Sequence, residues 1–428
     1  MTVLFLFLVF LGLLCLGLPI AFVLGVTAFL MIAFFSPAPL QMVPEVMYNA
    51  LDTFPLMAIP FFVIAAQFMV QGGTSRYLIN AANCWVRHWW GGLAMVTVVS
   101  CMIFGALCGS SVATALAIGV IVVPAMLEHG YPRPFALGVV SASGTIAIMI
   151  PPSIAMIIYG IMADESIPRL FMAGILPGIM QGAFYMIWIR FDAKRKNIGG
   201  APKAGWGETI RTTYKAIPAF CMPVIILGGI YSGFVTVTEA AALGAVAAIF
   251  ISLFIYREVG VSRVIPLTAE AMKSAGMIMF IISTAITIGN WLTEAGLPAR
   301  LVQVAKDLNL SAFAFLLAVN MALLLLGCLL EVVSILLITL PIILPVLKAL
   351  DINLIHFGIV MTLNMEVALI TPPVGLNLYV ISGVGKAPLA ETIKGVTPYI
   401  FITIFQLLLI TYWPPYTLFL PNLIMGAR

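Results

Sequence analysis

The chain has 428 residues, 63% of them hydrophobic and only 8% charged, whereas a soluble domain carries about 25% charged residues. That composition excludes a soluble fold and calls for a polytopic membrane protein. At roughly 20 apolar residues per span, the apolar runs allow about ten to twelve crossings. The net charge is +4, and its placement says more than its sum.

In chain order, Val3–Phe35 reads as a first membrane element, broken or bent at Gly17-Leu18-Pro19. It lacks the basic head and the cleavage site of a signal peptide. Pro55–Val70 and Leu93–Leu107 follow, with Trp85, Trp89 and Trp90 beside Arg87 and His88 as an interfacial aromatic belt. A further apolar piece, Val112–Leu127, follows Leu93–Leu107 almost without a loop. One helix through both would far exceed the bilayer, so a re-entrant hairpin is expected, its tip shielded by protein. The tip, FGALCGSSVAT, offers Gly105 and Gly109 for tight backbone and Ser110, Ser111 and Thr114 as hydroxyls. Na⁺, like other hard cations, takes such oxygens. The competing reading is close helix packing by small residues.

Phe135–Met162 carries Pro151-Pro152, with Ser141, Ser143, Thr145 and Ser153 around it. Proline removes a backbone donor and clashes with the preceding turn, so this span is predicted to break. Opened backbone is tolerated at membrane depth only where protein or a wet cavity surrounds it. Leu170–Ile189 leads to the stretch Arg190–Lys215, where seven Lys and Arg face only Asp192 and Glu208. Such a loop marks the cytoplasmic side. Its flanking spans argue against nucleic-acid binding.

Past this loop come Ala216–Phe234, Ala240–Tyr256, Ala271–Leu292, Ala312–Leu326, Val332–Leu350, Ile355–Val384 and Tyr399–Phe419. Gly327–Leu350 is a second hairpin candidate, with Glu331 and Ser334 near its start. Pro372-Pro373 forms a second break, flanked by Asn364, Thr371 and Asn377. A carboxylate deep in an apolar run costs about 3 kcal/mol on insertion scales. Glu331, Glu366 and Glu239 therefore each need a cation, a proton or a partner.

The two breaks belong to a longer correspondence. An offset of 221 carries Pro124, Pro151, Pro152 and Pro177 onto Pro345, Pro372, Pro373 and Pro398. It also pairs IPPSIAMIIY with TPPVGLNLYV and Ser110 with Glu331. Gly73 meets Gly296 at 223, and Gly25 meets Gly244 at 219. We read an internal duplication: residues 1–190 as a first repeat, 191–215 as a basic linker and 216–428 as a second. Sequence alone leaves open whether the repeats are inverted or parallel. Paired broken helices point to a binding site near the midplane, where repeats meet. Half-helix N-termini suit a carboxylate and carbonyl ends suit a cation, with proton coupling through Glu331 or Glu366 left open. The six cysteines and three histidines are scattered, and no nucleotide-binding, metalloprotease or nucleophile-elbow motif is present. An enzyme is not expected.

GALCGSSVATALAIG, IPPSIAMIIYG with LFMAGILPG, and NMEVALITPPVGLNLYV together resemble the large membrane subunit of tripartite ATP-independent periplasmic (TRAP) transporters of the C4-dicarboxylate and sialic acid type. The resemblance implies an all-α fold like that of the ion-transporter superfamily, with two inverted repeats, each holding a re-entrant hairpin and a Pro-Pro-broken helix. It further implies Na⁺-driven, elevator-type uptake of an organic acid across the bacterial inner membrane, with no cofactor beyond the coupling ion. Two partners are implied, a small four-helix membrane subunit and a periplasmic substrate-binding protein. Carried onto this chain, one Na⁺ site would use Ser110, Ser111, Thr114 and the Pro151–Ser153 turn. The other would use Glu331, Ser334, Thr371, Pro373 and Gly375. Substrate would lie near Ser143, Thr145, Asn364 and Asn377. A stand-alone Na⁺- or H⁺-coupled carboxylate symporter of the same fold is the alternative.

Overall fold

The computed structural model describes residues 2–328 and 330–426. These residues form twenty α-helices and no strand. The first ten are α1 (Thr2–Cys15), α2 (Ile20–Phe35), α3 (Met42–Leu51), α4 (Ala58–Gln71), α5 (Thr74–Val86), α6 (Gly92–Cys108), α7 (Ser111–Glu128), α8 (Arg133–Thr145), α9 (Ile154–Ala163) and α10 (Ile167–Arg195). The second ten are α11 (Trp206–Tyr231), α12 (Val237–Phe250), α13 (Val264–Glu294), α14 (Leu297–Asp307), α15 (Ala312–Gly327), α16 (Val332–Ala349), α17 (Leu354–Leu369), α18 (Leu376–Val384), α19 (Leu389–Tyr412) and α20 (Pro415–Met425). Eight helical stretches among the described residues are long and apolar enough to cross a membrane. The hairpins and breaks divide much of the rest into shorter apolar pieces.

The predicted interruptions are where proline and glycine put them. The first element parts into α1 and α2 at Gly17, in the left-handed region at φ 75°, and Pro19. Helix α8 gives way to a 3₁₀ turn at Ile146–Ile148 and then to open chain before α9. Helix α17 stops at Leu369, and α18 starts at Leu376. The basic stretch is shorter as open chain than its composition suggests. Helix α10 runs on to Arg195 and α11 begins at Trp206, so most of those charges ride on helix ends. Arg87 grips this connection through a two-pronged contact with Glu208 (3.0 and 3.1 Å) and a bond to the Pro202 carbonyl. Helices α5 and α14 have no counterpart among the sequence-predicted spans. Their mixed polar and apolar residues hide them from a hydropathy reading. Both start from a left-handed glycine, Gly73 (φ 75°) and Gly296 (φ 73°).

Packing between the halves is reciprocal. Helix α7 packs on α18 while α16 packs on α9; α8 packs on α19 while α17 packs on α10; α4 packs on α12 while α13 packs on α2. Contacts that swap partners in this way are what two copies related by a two-fold make. Single residues repeat the pattern. A Cβ on Gly105 would lie 2.6 Å from Ala147 Cα, and one on Gly327 would lie 2.3 Å from Ala368 Cβ. The rings of Phe184 and Phe405, 221 residues apart in sequence, meet edge-on at 6.3 Å. The core gathers around the broken helices: every residue from Phe135 to Thr145 and from Ile355 to Leu369 is buried.

Candidate functional site

The first hairpin turns at Gly109, whose φ of 59° favours glycine. A Cβ there would sit 2.2 Å from the Pro152 carbonyl oxygen, so the tip rests directly on the first break. Ser110 is extended and its hydroxyl caps α7, accepting from Ala113 N–H. Ser153 does the same for α9, accepting from Met156 N–H. Side-chain oxygens at these positions satisfy helix N–H groups that have no partner of their own.

The second tip solves the same problem with a different residue. Glu331 is extended, and its carboxylate accepts from Ser334 N–H (3.2 Å) and the Ser334 hydroxyl (3.0 Å), capping α16. The tip is tied to the second break by Val374 N–H donating to the Cys328 carbonyl (3.2 Å). Gly375, at φ 41°, opens α18, and the Thr371 hydroxyl donates back to the Val367 carbonyl (2.6 Å). Both Pro-Pro peptide bonds, Pro151-Pro152 and Pro372-Pro373, are cis.

The two tips meet at one cavity of about 160 Å³. Its walls pair up at the offset of 221: Ser110 with Glu331, Ser111 with Val332, Val112 with Val333, Ile148 with Leu369, and Ala155 with Leu376. Equivalent positions of two copies face one another only near the axis that relates them, so the cavity lies where the halves meet. Four helix N-termini, those of α7, α9, α16 and α18, reach it. Partial positive charge and free N–H groups there suit an anion.

Behind the wall stands a cluster of buried oxygens. Asn377, from α18, donates to the Ser111 hydroxyl (2.8 Å) and the Ser141 carbonyl (3.0 Å). Thr114 Oγ1, Ser141 Oγ and Asn377 Oδ1 are buried with no protein partner among the described residues. Unpaired oxygens of this kind are costly in a protein interior and are the donors a hard cation takes. The structure thus brings Ser110, Ser111 and Glu331 to the cavity, with Thr114 and Asn377 next to them. Pro151, Ser153, Ser334, Thr371, Pro373 and Gly375 build the turns and caps around it.

Ser143, Thr145 and Asn364 are fully buried and do not line this cavity. Asn364 donates to Asn320, which donates to Thr411 (2.9 Å). Thr145 meets Glu366 (3.1 Å), and Gln181 also donates to Glu366. Gln181, Tyr185 and Asn320 escaped the sequence reading, although each is an uncommon polar group inside an apolar run. Among the described residues, no three of His, Cys, Asp and Glu gather as a metal site would require.

A family model described as "Tripartite ATP-independent periplasmic transporter, DctM component" matches residues 7–416. The C4-dicarboxylate TRAP transporter large permease protein DctM of Pseudomonas aeruginosa is 42% identical, over 99% of each chain. The sialic acid TRAP transporter large permease protein SiaM of Vibrio cholerae is 31% identical over 97% of each. The crystal structure of the Alcanivorax borkumensis YdaH transporter superposes with a TM-score of 0.62 at 12% identity, covering 88% of this chain and 89% of that one. At that identity the likeness concerns the fold alone.

Proposed function

Because the chain belongs to the DctM family of TRAP transporters, a multi-pass membrane transport component and not an enzyme, we propose that it carries out Na⁺-coupled uptake of an organic acid anion across the bacterial inner membrane. A C4-dicarboxylate, sialic acid or a related carboxylate is the substrate. The family works with a substrate-binding protein and a small membrane subunit; here the first delivers the anion from the periplasm, and the second is a four-helix protein beside this chain. The two halves act as inverted repeats, 1–190 and 216–428, joined by the basic linker 191–215. The hairpins and broken helices move together, as an elevator, against the remaining helices.

The observation that carries this reading is the cavity walled by equivalent residues from both hairpin tips. In it the anion meets the N-termini of α7 and α16. One Na⁺ takes oxygens from Ser110, Ser111, Thr114 and the Pro151–Ser153 turn. A second takes them from Glu331, Ser334, Thr371, Pro373 and Gly375. The cations offset the charge of the anion, so substrate binds well only after Na⁺. Ser143, Thr145 and Asn364 act from behind the wall, and Asn377 joins the two halves.

The test is uptake into proteoliposomes under an imposed Na⁺ gradient, with and without the binding protein and the small subunit. Uptake should need both partners and collapse when Na⁺ is replaced by K⁺. Uptake undiminished without a Na⁺ gradient would overturn the coupling. Full uptake by this chain alone would make it a stand-alone symporter.

A further inference from the structure

Glu366 lies in the last turn of α17, is 0% exposed and lines no part of the cavity. None of the ion pairs among the described residues includes it. One carboxyl oxygen, Oε2, has two neighbours, the Gln181 amide nitrogen and Thr145 Oγ1 at 3.1 Å. The other, Oε1, is buried without a partner. An ionised carboxylate has about four lone-pair sites to fill, and leaving a charge so poorly served in a protein interior is costly.

The hydrogens around it can be counted. A hydroxyl has one. That of Thr145 has a shorter partner than Glu366, the Ala142 carbonyl at 2.8 Å. With its hydrogen used there, the Thr145 oxygen can only accept from Glu366. The chain on the other side closes in the same sense. The Thr403 hydroxyl donates to the Tyr399 carbonyl (2.8 Å), so Tyr185 must donate to Thr403 (2.7 Å). The Tyr185 oxygen then accepts from the Gln181 amide (3.1 Å), whose second hydrogen goes to Glu366. With these hydrogens placed, none is left for the contact between Thr145 Oγ1 and Glu366 Oε2, while Gln181 Oε1, like Glu366 Oε1, has no partner.

We infer that Glu366 is a proton-binding site: its carboxyl is held as the neutral acid, with the acidic hydrogen on Oε2 donated to Thr145 Oγ1. Thr145 and Glu366 are the same position in the two halves, 221 residues apart. The proton therefore bridges the helix before the first break to the helix before the second. It binds Glu366 without a metal cation, which separates this carboxyl from Glu331 at the hairpin tip.

The test is infrared difference spectroscopy of the full chain in lipid at neutral pH, wild type against Glu366→Gln. It needs no substrate, so its failure is distinct from a failure of the transport reading. The expected result is a carboxylic-acid carbonyl band in the wild type that shifts in D₂O and is lost in the variant. Carboxylate stretching bands in its place would overturn the proposal. Thr145→Val supplies a second reading should E366Q fail to fold. Removing the acceptor should shift the same acid band to higher wavenumber. An unmoved acid band, or none, in T145V would contradict a proton shared with Thr145.

Discussion

The two hairpin tips do one structural job with different chemistry. Ser110 and Glu331 stand 221 residues apart, both in extended backbone, both placing a side-chain oxygen on the third N–H of the helix that follows. Serine does this with a neutral hydroxyl. Glutamate does it with one carboxyl oxygen and brings an ionisable group to the cavity edge. The approach to the break differs as well. Gly109 lies against Pro152 with no room for a Cβ, whereas the second tip is held by a hydrogen bond from Val374 to Cys328. Capping is thus the shared requirement of both tips, and the ionisable group is the variable part. On the transport reading, the first tip holds its Na⁺ with neutral oxygens, and the second adds a formal charge.

Five substitutions at four positions probe that difference, from the largest expected effect to the smallest. Gly109→Ala should be the most damaging. Left-handed backbone costs an L-residue about 1–2 kcal/mol, and the new methyl would overlap the Pro152 carbonyl. Uptake should be lost and the thermal midpoint should fall; near-normal uptake would mean that the tip does not need its contact with the break. Glu331→Gln keeps an oxygen for Ser334 but removes the charge. Hydrogen bonds to charged groups are worth about 1.5–3 kcal/mol, so the Na⁺ concentration for half-maximal uptake should rise about tenfold or more. Glu331→Ser makes the second tip copy the first, and Na⁺ dependence no better than that of E331Q would show that the charge, not the cap, sets affinity there. Ser110→Ala removes a cap worth about 1 kcal/mol along with a cavity oxygen. Roughly a fivefold rise in the same Na⁺ concentration is expected, with a small drop in thermal stability. Thr371→Ala should give the mildest change, because its hydroxyl already serves the Val367 carbonyl. A Thr371→Ala effect larger than that of Ser110→Ala would reverse the ranking of the two tips.

Much of this architecture was legible beforehand. Proline and glycine act through local sterics, so the breaks at Pro151-Pro152 and Pro372-Pro373, the bend at Gly17 and the turn at Gly109 needed no tertiary knowledge. The offset of 221 was legible because proline positions and their apolar surroundings recur as text. It did not say that Ser110 and Glu331 would face one cavity, since that depends on how the halves pack. The α5 and α14 helices escaped because a hydropathy reading sees only uniformly apolar runs. Ser143, Thr145 and Asn364 were set near the substrate by the family resemblance. Their side chains are fully buried and do not line this cavity, which helix rotation decides and sequence distance does not. The Glu366 network was invisible for a similar reason: Gln181 and Tyr185 come from a helix in the other half.

The most direct test of the account is the Na⁺ concentration dependence of uptake, measured for wild type, Ser110→Ala and Glu331→Gln in the same proteoliposomes with both partners present. The account predicts that each variant needs more Na⁺ than wild type, and that Glu331→Gln needs the most. Identical Na⁺ curves for all three, at equal protein levels, would contradict it.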